Sequence, residues 1–133
     1  MTRINIVPVE ELSDQWLIAE YRELPRALKG NISIEDAPDN YTFGKGHMKW
    51  ARKYAIFTNN RMKKIVEEME YRGFTHNFSA DLSMYIKEDM KNDYTPNLSD
   101  LQISKNRLIE KYNKKPNFYR WTKRNKPDYL KEI

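Results

Sequence analysis

Glu23 stands in the run Asp14-Gln15-Trp16-Leu17-Ile18-Ala19-Glu20-Tyr21-Arg22-Glu23-Leu24-Pro25-Arg26, a carboxylate with one arginine just before it and another three residues on. At 100° per residue a helix would set Trp16 and Glu23 about 20° apart and gather Arg22, Glu23 and Arg26 on one flank. A carboxylate held between guanidiniums is stabilised as the anion inside an electropositive patch, where phosphates could bind while Glu23 handles a proton. A surface ion-pair network has the same spacing, so periodicity alone leaves both readings open. A second run, Lys115-Pro116-Asn117-Phe118-Tyr119-Arg120-Trp121-Thr122-Lys123-Arg124, alternates cations with aromatic rings. Cations neutralise phosphates, and ring faces stack on unpaired bases or pack on sugars. The alternative is a solvated tail whose rings fold back into the core.

The elements that must position these groups are helical. A helix is predicted from Ser13 or Asp14, both good N-caps, to about Lys29, with Leu17, Tyr21, Leu24 and Leu28 facing the core and a kink at Pro25. Residues 31–45 read as a loop. A second helix spans about His47 to Arg72 and stops at Gly73, with a blurred pattern at Thr58-Asn59-Asn60 that allows a kink or two shorter helices. Residues 74–97 are irregular, with one helical turn near Lys87–Met90. A third helix runs from Asn97 or Leu98 to Tyr112, ahead of Pro116. Only Thr2–Val9 looks strand-like, and a lone strand cannot make a sheet. The expectation is an all-α fold, one compact domain over residues 1–133 with three main helices and long irregular loops.

Composition narrows the chemistry. The chain has 133 residues, 24 Lys and Arg against 19 Asp and Glu, a net charge of +5, no cysteine and two histidines. Disulfides, a thiol nucleophile, iron–sulfur clusters, cysteine-bound zinc and a three-histidine zinc site are all excluded. The mean hydropathy is −0.92, and no apolar run reaches the roughly 20 residues that span a bilayer. No secretory hydrophobic segment opens the chain, which predicts a soluble cytoplasmic protein with no membrane role. Residues 101–133 hold 10 basic and 3 acidic groups, so the positive excess belongs to the third helix and the tail. That distribution points to nucleic acid as the partner.

Several blocks together resemble a known family. Met1-Thr2-Arg3-Ile4-Asn5, then Val9-Glu10-Glu11-Leu12-Ser13-Asp14-Gln15 and Ala19-Glu20-Tyr21-Arg22-Glu23-Leu24-Pro25-Arg26, are similar to the endonuclease V-type pyrimidine-dimer DNA glycosylases of bacteriophages. The likeness resumes at Gly44-Lys45-Gly46-His47, Arg72-Gly73-Phe74 and Tyr94-Thr95-Pro96. It continues through Ile103-Ser104-Lys105-Asn106-Arg107-Leu108-Ile109-Glu110-Lys111 to the aromatic-basic run at 115–121, with a gap over 29–42. The resemblance implies a compact three-helix fold and a glycosylase/AP lyase acting on cyclobutane pyrimidine dimers; the alternatives are an AP lyase or glycosylase for a different base lesion, or a non-catalytic damaged-DNA-binding module on the same scaffold. Thr2 would become the N-terminus once Met1 is removed, and its α-amine would attack the sugar's anomeric carbon. Glu23 would be the catalytic carboxylate. Arg3, Gln15, Trp16, Arg22, Arg26, Arg107, Lys111, Tyr119, Arg120 and Trp121 would contact DNA, and His47 would be structural.

The resemblance further implies no cofactor and no metal, a monomer, and duplex DNA with dimers or abasic sites as partner, in the host cytoplasm if the source is viral. An α-amine suits that chemistry: its ordinary pKa of about 7.7–8.0 leaves roughly a tenth as free base at neutral pH, hundreds of times the fraction for lysine. Thr2 is small enough to permit removal of Met1.

Two departures stand out. The family usually carries histidine where this chain has Trp16, which cannot relay a proton and is expected to stack on an extruded base or narrow the pocket. The family's long basic stretch after the first helix is here Gly30-Asn31-Ile32-Ser33-Ile34-Glu35-Asp36-Ala37-Pro38-Asp39-Asn40, with three acids and no base. Fewer phosphate contacts there predict a shallower salt dependence.

Overall fold

The computed structural model describes residues 3–130, so Thr2 lies outside the described residues. It is all-helical: α1 (Asp14–Lys29), α2 (His47–Lys53), α3 (Ala55–Arg72) and α4 (Leu98–Lys114), with 3-10 turns at Val9–Glu11, Ser83–Tyr85, Glu88–Met90 and Asp128–Leu130. None of the described helices is long and apolar enough to cross a membrane.

Ser13 caps α1, its hydroxyl accepting from the Trp16 N–H at 3.1 Å. Leu17, Tyr21, Leu24 and Leu28 are all buried, and the helix continues through Pro25. At its far end the buried Arg52 guanidinium donates to the Ala27 and Leu28 carbonyls at 3.1 and 3.0 Å. These are last-turn acceptors that have no partner inside the helix.

The long second helix of the sequence reading is divided, and the division falls at Tyr54 (φ −102°, ψ 55°) rather than at Thr58-Asn59-Asn60. The polar pair there anchors the corner instead of breaking it. Thr58 Oγ1 donates back to the Ala51 carbonyl at 2.7 Å across the break. Asn59 ties α3 to the following loop, donating to Asp81 at 3.1 Å and accepting from the Leu82 N–H at 2.7 Å. Gly73 closes α3 in the left-handed region (φ 85°), where glycine is the favoured residue. Asn97 and Asp100 form a reciprocal capping box at the start of α4, which runs two residues past Tyr112.

The strand-like N-terminal segment is extended, yet no strand occurs among the described residues. Its backbone is satisfied by side chains instead. The Ile4 N–H donates to His47 Nε2 at 3.3 Å, and Tyr41 donates to the Ile4 carbonyl at 2.6 Å. The Asn5 N–H donates to Glu20 at 3.2 Å, the Ile6 N–H to Ser104 Oγ at 3.1 Å, and Arg61 donates to the Val7 carbonyl at 2.6 Å. All four helices and the loop before α2 therefore supply one hold each. The segment is buried among them as a wedge, and buried backbone groups need such partners.

After α4 the chain folds back over the start of α1. The Asp14 N–H donates to the Arg120 carbonyl at 2.7 Å, and Thr122 Oγ1 donates to Asp14 at 2.7 Å. An ion-pair chain extends this contact: Asp14 to Arg72 at 2.9 Å, Arg72 to Glu68 at 2.8 Å, and Glu68 to Arg124 at 2.8 Å.

Candidate active site

Glu23 projects from the middle of α1 and is only 7% exposed. Arg26, one turn on and exposed, approaches it to 3.6 Å. Arg22 does not complete a guanidinium pair around it. Among the described residues Arg22 forms no ion pair and instead lines a separate hollow of about 590 Å³ with Ile18, Tyr21, Phe74 and Phe78. The reason is helical geometry: neighbours along the chain point 100° apart and do not face each other.

Glu20, one turn before Glu23, is fully buried. It binds Arg61 at 2.6 Å and accepts from both the backbone N–H (3.2 Å) and the carboxamide (3.0 Å) of Asn5. The carboxamide also donates to the Arg3 carbonyl at 3.3 Å. Glu20 thus holds the extended segment against the helix that carries Glu23. Two adjacent carboxylates on one helix face have different surroundings: one is enclosed in a structural network, the other lies beside an exposed arginine.

Trp16 is not an open stacking platform. It is 5% exposed, lies 4.5 Å from the Tyr119 ring and 6.0 Å from Trp121, and its indole nitrogen is buried without a hydrogen-bond partner among the described residues. The returning tail covers it. Trp121 is fixed as well, its indole N–H donating to the Glu11 carbonyl at 3.0 Å. Gln15 accepts from the Arg120 N–H at 3.1 Å, which leaves the Arg120 side chain exposed above the start of α1. Phe118, which sequence reasoning did not single out, is the most exposed ring of the tail at 55%.

On α4, Arg107 pairs with Glu110 at 3.4 Å and lies 6.0 Å from the Phe43 ring. Lys111 is half-buried, and its pKa is pushed down to about 8, first by burial and then by the charges of Arg107 and Arg3. Arg3 and Arg107 are thus near enough to act on Lys111, with Glu110 and Glu20 acting in the opposite sense. His47 is buried and structural: Nε2 accepts from Ile4, so the ring proton sits on Nδ1 and is donated to the Thr42 carbonyl at 2.7 Å. Burial also lowers its pKa, which favours this neutral form. In the acidic loop after α1, Asp39 takes up Lys53 at 2.7 Å.

A hollow of about 820 Å³ runs along α3, lined in part by Phe57, Arg61, Lys64, Tyr71 and Arg124, and contains none of the predicted site residues. The described residues contain no cluster of His, Asp and Glu suited to a metal ion.

A family model described as pyrimidine dimer DNA glycosylase matches residues 1–82. The chain belongs to this family. The matched span contains the wedged N-terminal segment, all of α1 with Gln15, Trp16, Arg22, Glu23 and Arg26, and the corner between α2 and α3. It also runs through the acidic loop after α1, where the sequence blocks leave a gap. As a member, the chain is a DNA-repair glycosylase whose substrate is DNA with pyrimidine dimers. Arg107, Lys111 and the aromatic tail lie beyond the match, so their assignment rests on the residues themselves.

Proposed function

We propose that this glycosylase excises at cyclobutane pyrimidine dimers through an imine formed by the α-amine of Thr2, and then breaks the strand as an AP lyase. One observation carries the reading. Glu23 is the carboxylate of α1 one turn beyond the point where Glu20 grips the N-terminal segment, and its ion-pair partner among the described residues is the exposed Arg26. A carboxylate so placed supports the reading that a terminal amine and a phosphate-bearing sugar meet beside it.

In this mechanism the free amine attacks C1′ and the glycosidic C–N bond breaks, its electron pair leaving with the base. The base remains tied to its neighbour through the dimer. Ring opening gives a protonated imine at C1′. Loss of the C2′ proton then expels the 3′ phosphate, and water hydrolyses the imine to release the amine. Glu23 assists the proton transfers and stabilises the cationic sugar and iminium, work for which general acid–base catalysis contributes about 10²- to 10⁴-fold. A distorted dimer lowers the cost of taking the nucleotide out of the stack.

Arg26 meets a phosphate beside Glu23 and Arg22 meets another from the neighbouring hollow, while Arg3, Arg107 and Lys111 form a further phosphate contact. Gln15, Arg120 and the Tyr119–Trp121 tail border the lesion, with Trp16 supporting that tail from below. The enzyme works as a monomer on duplex DNA with no metal or cofactor. Borohydride trapping on dimer-containing and abasic duplexes, with mass spectrometry of the adduct, tests this. An adduct at Thr2 on both substrates is expected. No adduct from protein that begins at Thr2 overturns the imine; an adduct on abasic DNA alone makes the chain chiefly a lyase.

A further inference from the structure

A nucleophile at a chain end has a physical difficulty. Terminal residues are poorly ordered unless tied down, whereas reacting atoms must be held within about 3–3.5 Å, and a misplacement of about 1 Å can cost 10²-fold in rate. The holds on Ile6 and Val7 fix the wedge farther along. The peptide unit that joins Arg3 to Ile4 is held on both sides, its N–H by His47 and its carbonyl by Asn5.

The Asn5 carboxamide Nδ2 bridges two acceptors, the Arg3 carbonyl at 3.3 Å and Glu20 Oε1 at 3.0 Å. Arg3 immediately follows Thr2, and Glu20 is on the same helix as Glu23, one turn away. Asn5 is 4% exposed and Glu20 has no exposure, so the Glu20 half of this bridge is enclosed in the core. Glu20 is in turn oriented by Arg61, through Nε at 2.6 Å and Nη2 at 3.2 Å. A buried ion pair is a poor means of gaining stability, since apolar residues of like volume commonly serve as well. A leucine in place of Glu20 would accept nothing from Asn5.

We propose that Asn5 is a positioning residue for the reactive amine, its carboxamide linking the Arg3 carbonyl to buried Glu20 and so fixing the chain end relative to Glu23. The inference rests on the imine reading. It adds that the catalytic register is set by a side chain held between the Arg3 carbonyl and buried Glu20.

Two measurements separate positioning from folding and binding. Single-turnover borohydride trapping on an abasic duplex reads the chemistry. Binding to a duplex containing a tetrahydrofuran abasic analogue, which cannot form an imine, reads affinity. Both are made at a temperature where melting curves show every variant folded. Asn5→Ala should trap at least about tenfold more slowly, with affinity for the analogue within about twofold of the parent. Asn5→Ser, which keeps one donor for Glu20 and perturbs the fold less, should fall between Ala and the parent. Trapping by both variants within twofold of the parent overturns the proposal, as does a loss of rate matched by an equal loss of affinity. Absence of a Thr2 adduct in the parent protein would instead refute the underlying mechanism.

Discussion

The Trp16 ring lies 4.5 Å from that of Tyr119, across more than a hundred residues of chain, and the two together bury the first turn of α1 beneath the C-terminal tail. Trp16 therefore supports a surface rather than forming one. Trp16→His removes that support while leaving Glu23 and the N-terminal wedge unchanged. Cleavage of abasic DNA should stay within a few-fold of the parent, while dimer cleavage shifts several-fold. Equal loss on both substrates, measured side by side under single turnover, would contradict this.

Glu23→Gln keeps the shape of the side chain and removes its charge. The variant should bind dimer-containing duplex at least as well as the parent and cleave it about 10²-fold or more slowly. Cleavage at the parental rate would remove Glu23 from the proton-transfer role.

If Lys111 contacts DNA as proposed, it should give binding a pH dependence. With a pKa near 8 it is mostly charged at pH 7 and mostly neutral at pH 9.5. On the proposed phosphate contact, that cation is lost as pH rises, and affinity should weaken in that direction. Across that range the slope of log K against log salt should flatten by about one unit for the parent. Lys111→Arg, which stays charged, should not show that change. The α-amine titrates in both proteins, so the difference between them isolates Lys111.

The ion-pair chain through Arg72 should govern how firmly the tail is held. Arg72 is buried between Asp14 and Glu68, and removing it takes an ion-pair partner from each of these buried carboxylates. Arg72→Met should cost about 3–5 kcal/mol in urea unfolding. Burial raises the Glu68 pKa, but hydrogen bonds from Arg124 and Arg72 more than reverse this and leave it below the ordinary value. That contribution is present above the ordinary carboxylate pKa and disappears as pH falls through the lowered one. Glu68→Gln should therefore flatten the acid limb of the stability curve.

Local signals were readable where local physics decides the outcome. Ser13, Gly73 and Asn97 end or begin helices by their own backbone and hydrogen-bond preferences, and the core face of α1 follows from its spacing. The Tyr54 corner was misplaced to Thr58-Asn59-Asn60 because polar side chains inside a helix resemble a break until their partners are known. Ala51, Asp81 and Leu82 are those partners. At the site, Glu23 and Arg26 meet as their spacing requires. The cover over Trp16 and the grip of Glu20 on Asn5 depend on segments 100 and 15 residues apart, which no window of sequence brings together. The strand-like segment was read correctly as extended, but its hydrogen-bond partners are five unrelated side chains without periodicity.

That wedge has a consequence for the order in which the protein folds. Its residues are the first to be synthesised, yet Ile6 waits for Ser104, 98 positions later, before its amide has a partner. Contacts of such long range form slowly, after local helices. The α4 hold on the wedge is thus the last of its five to become available, after those from α1, α2, α3 and the loop before α2.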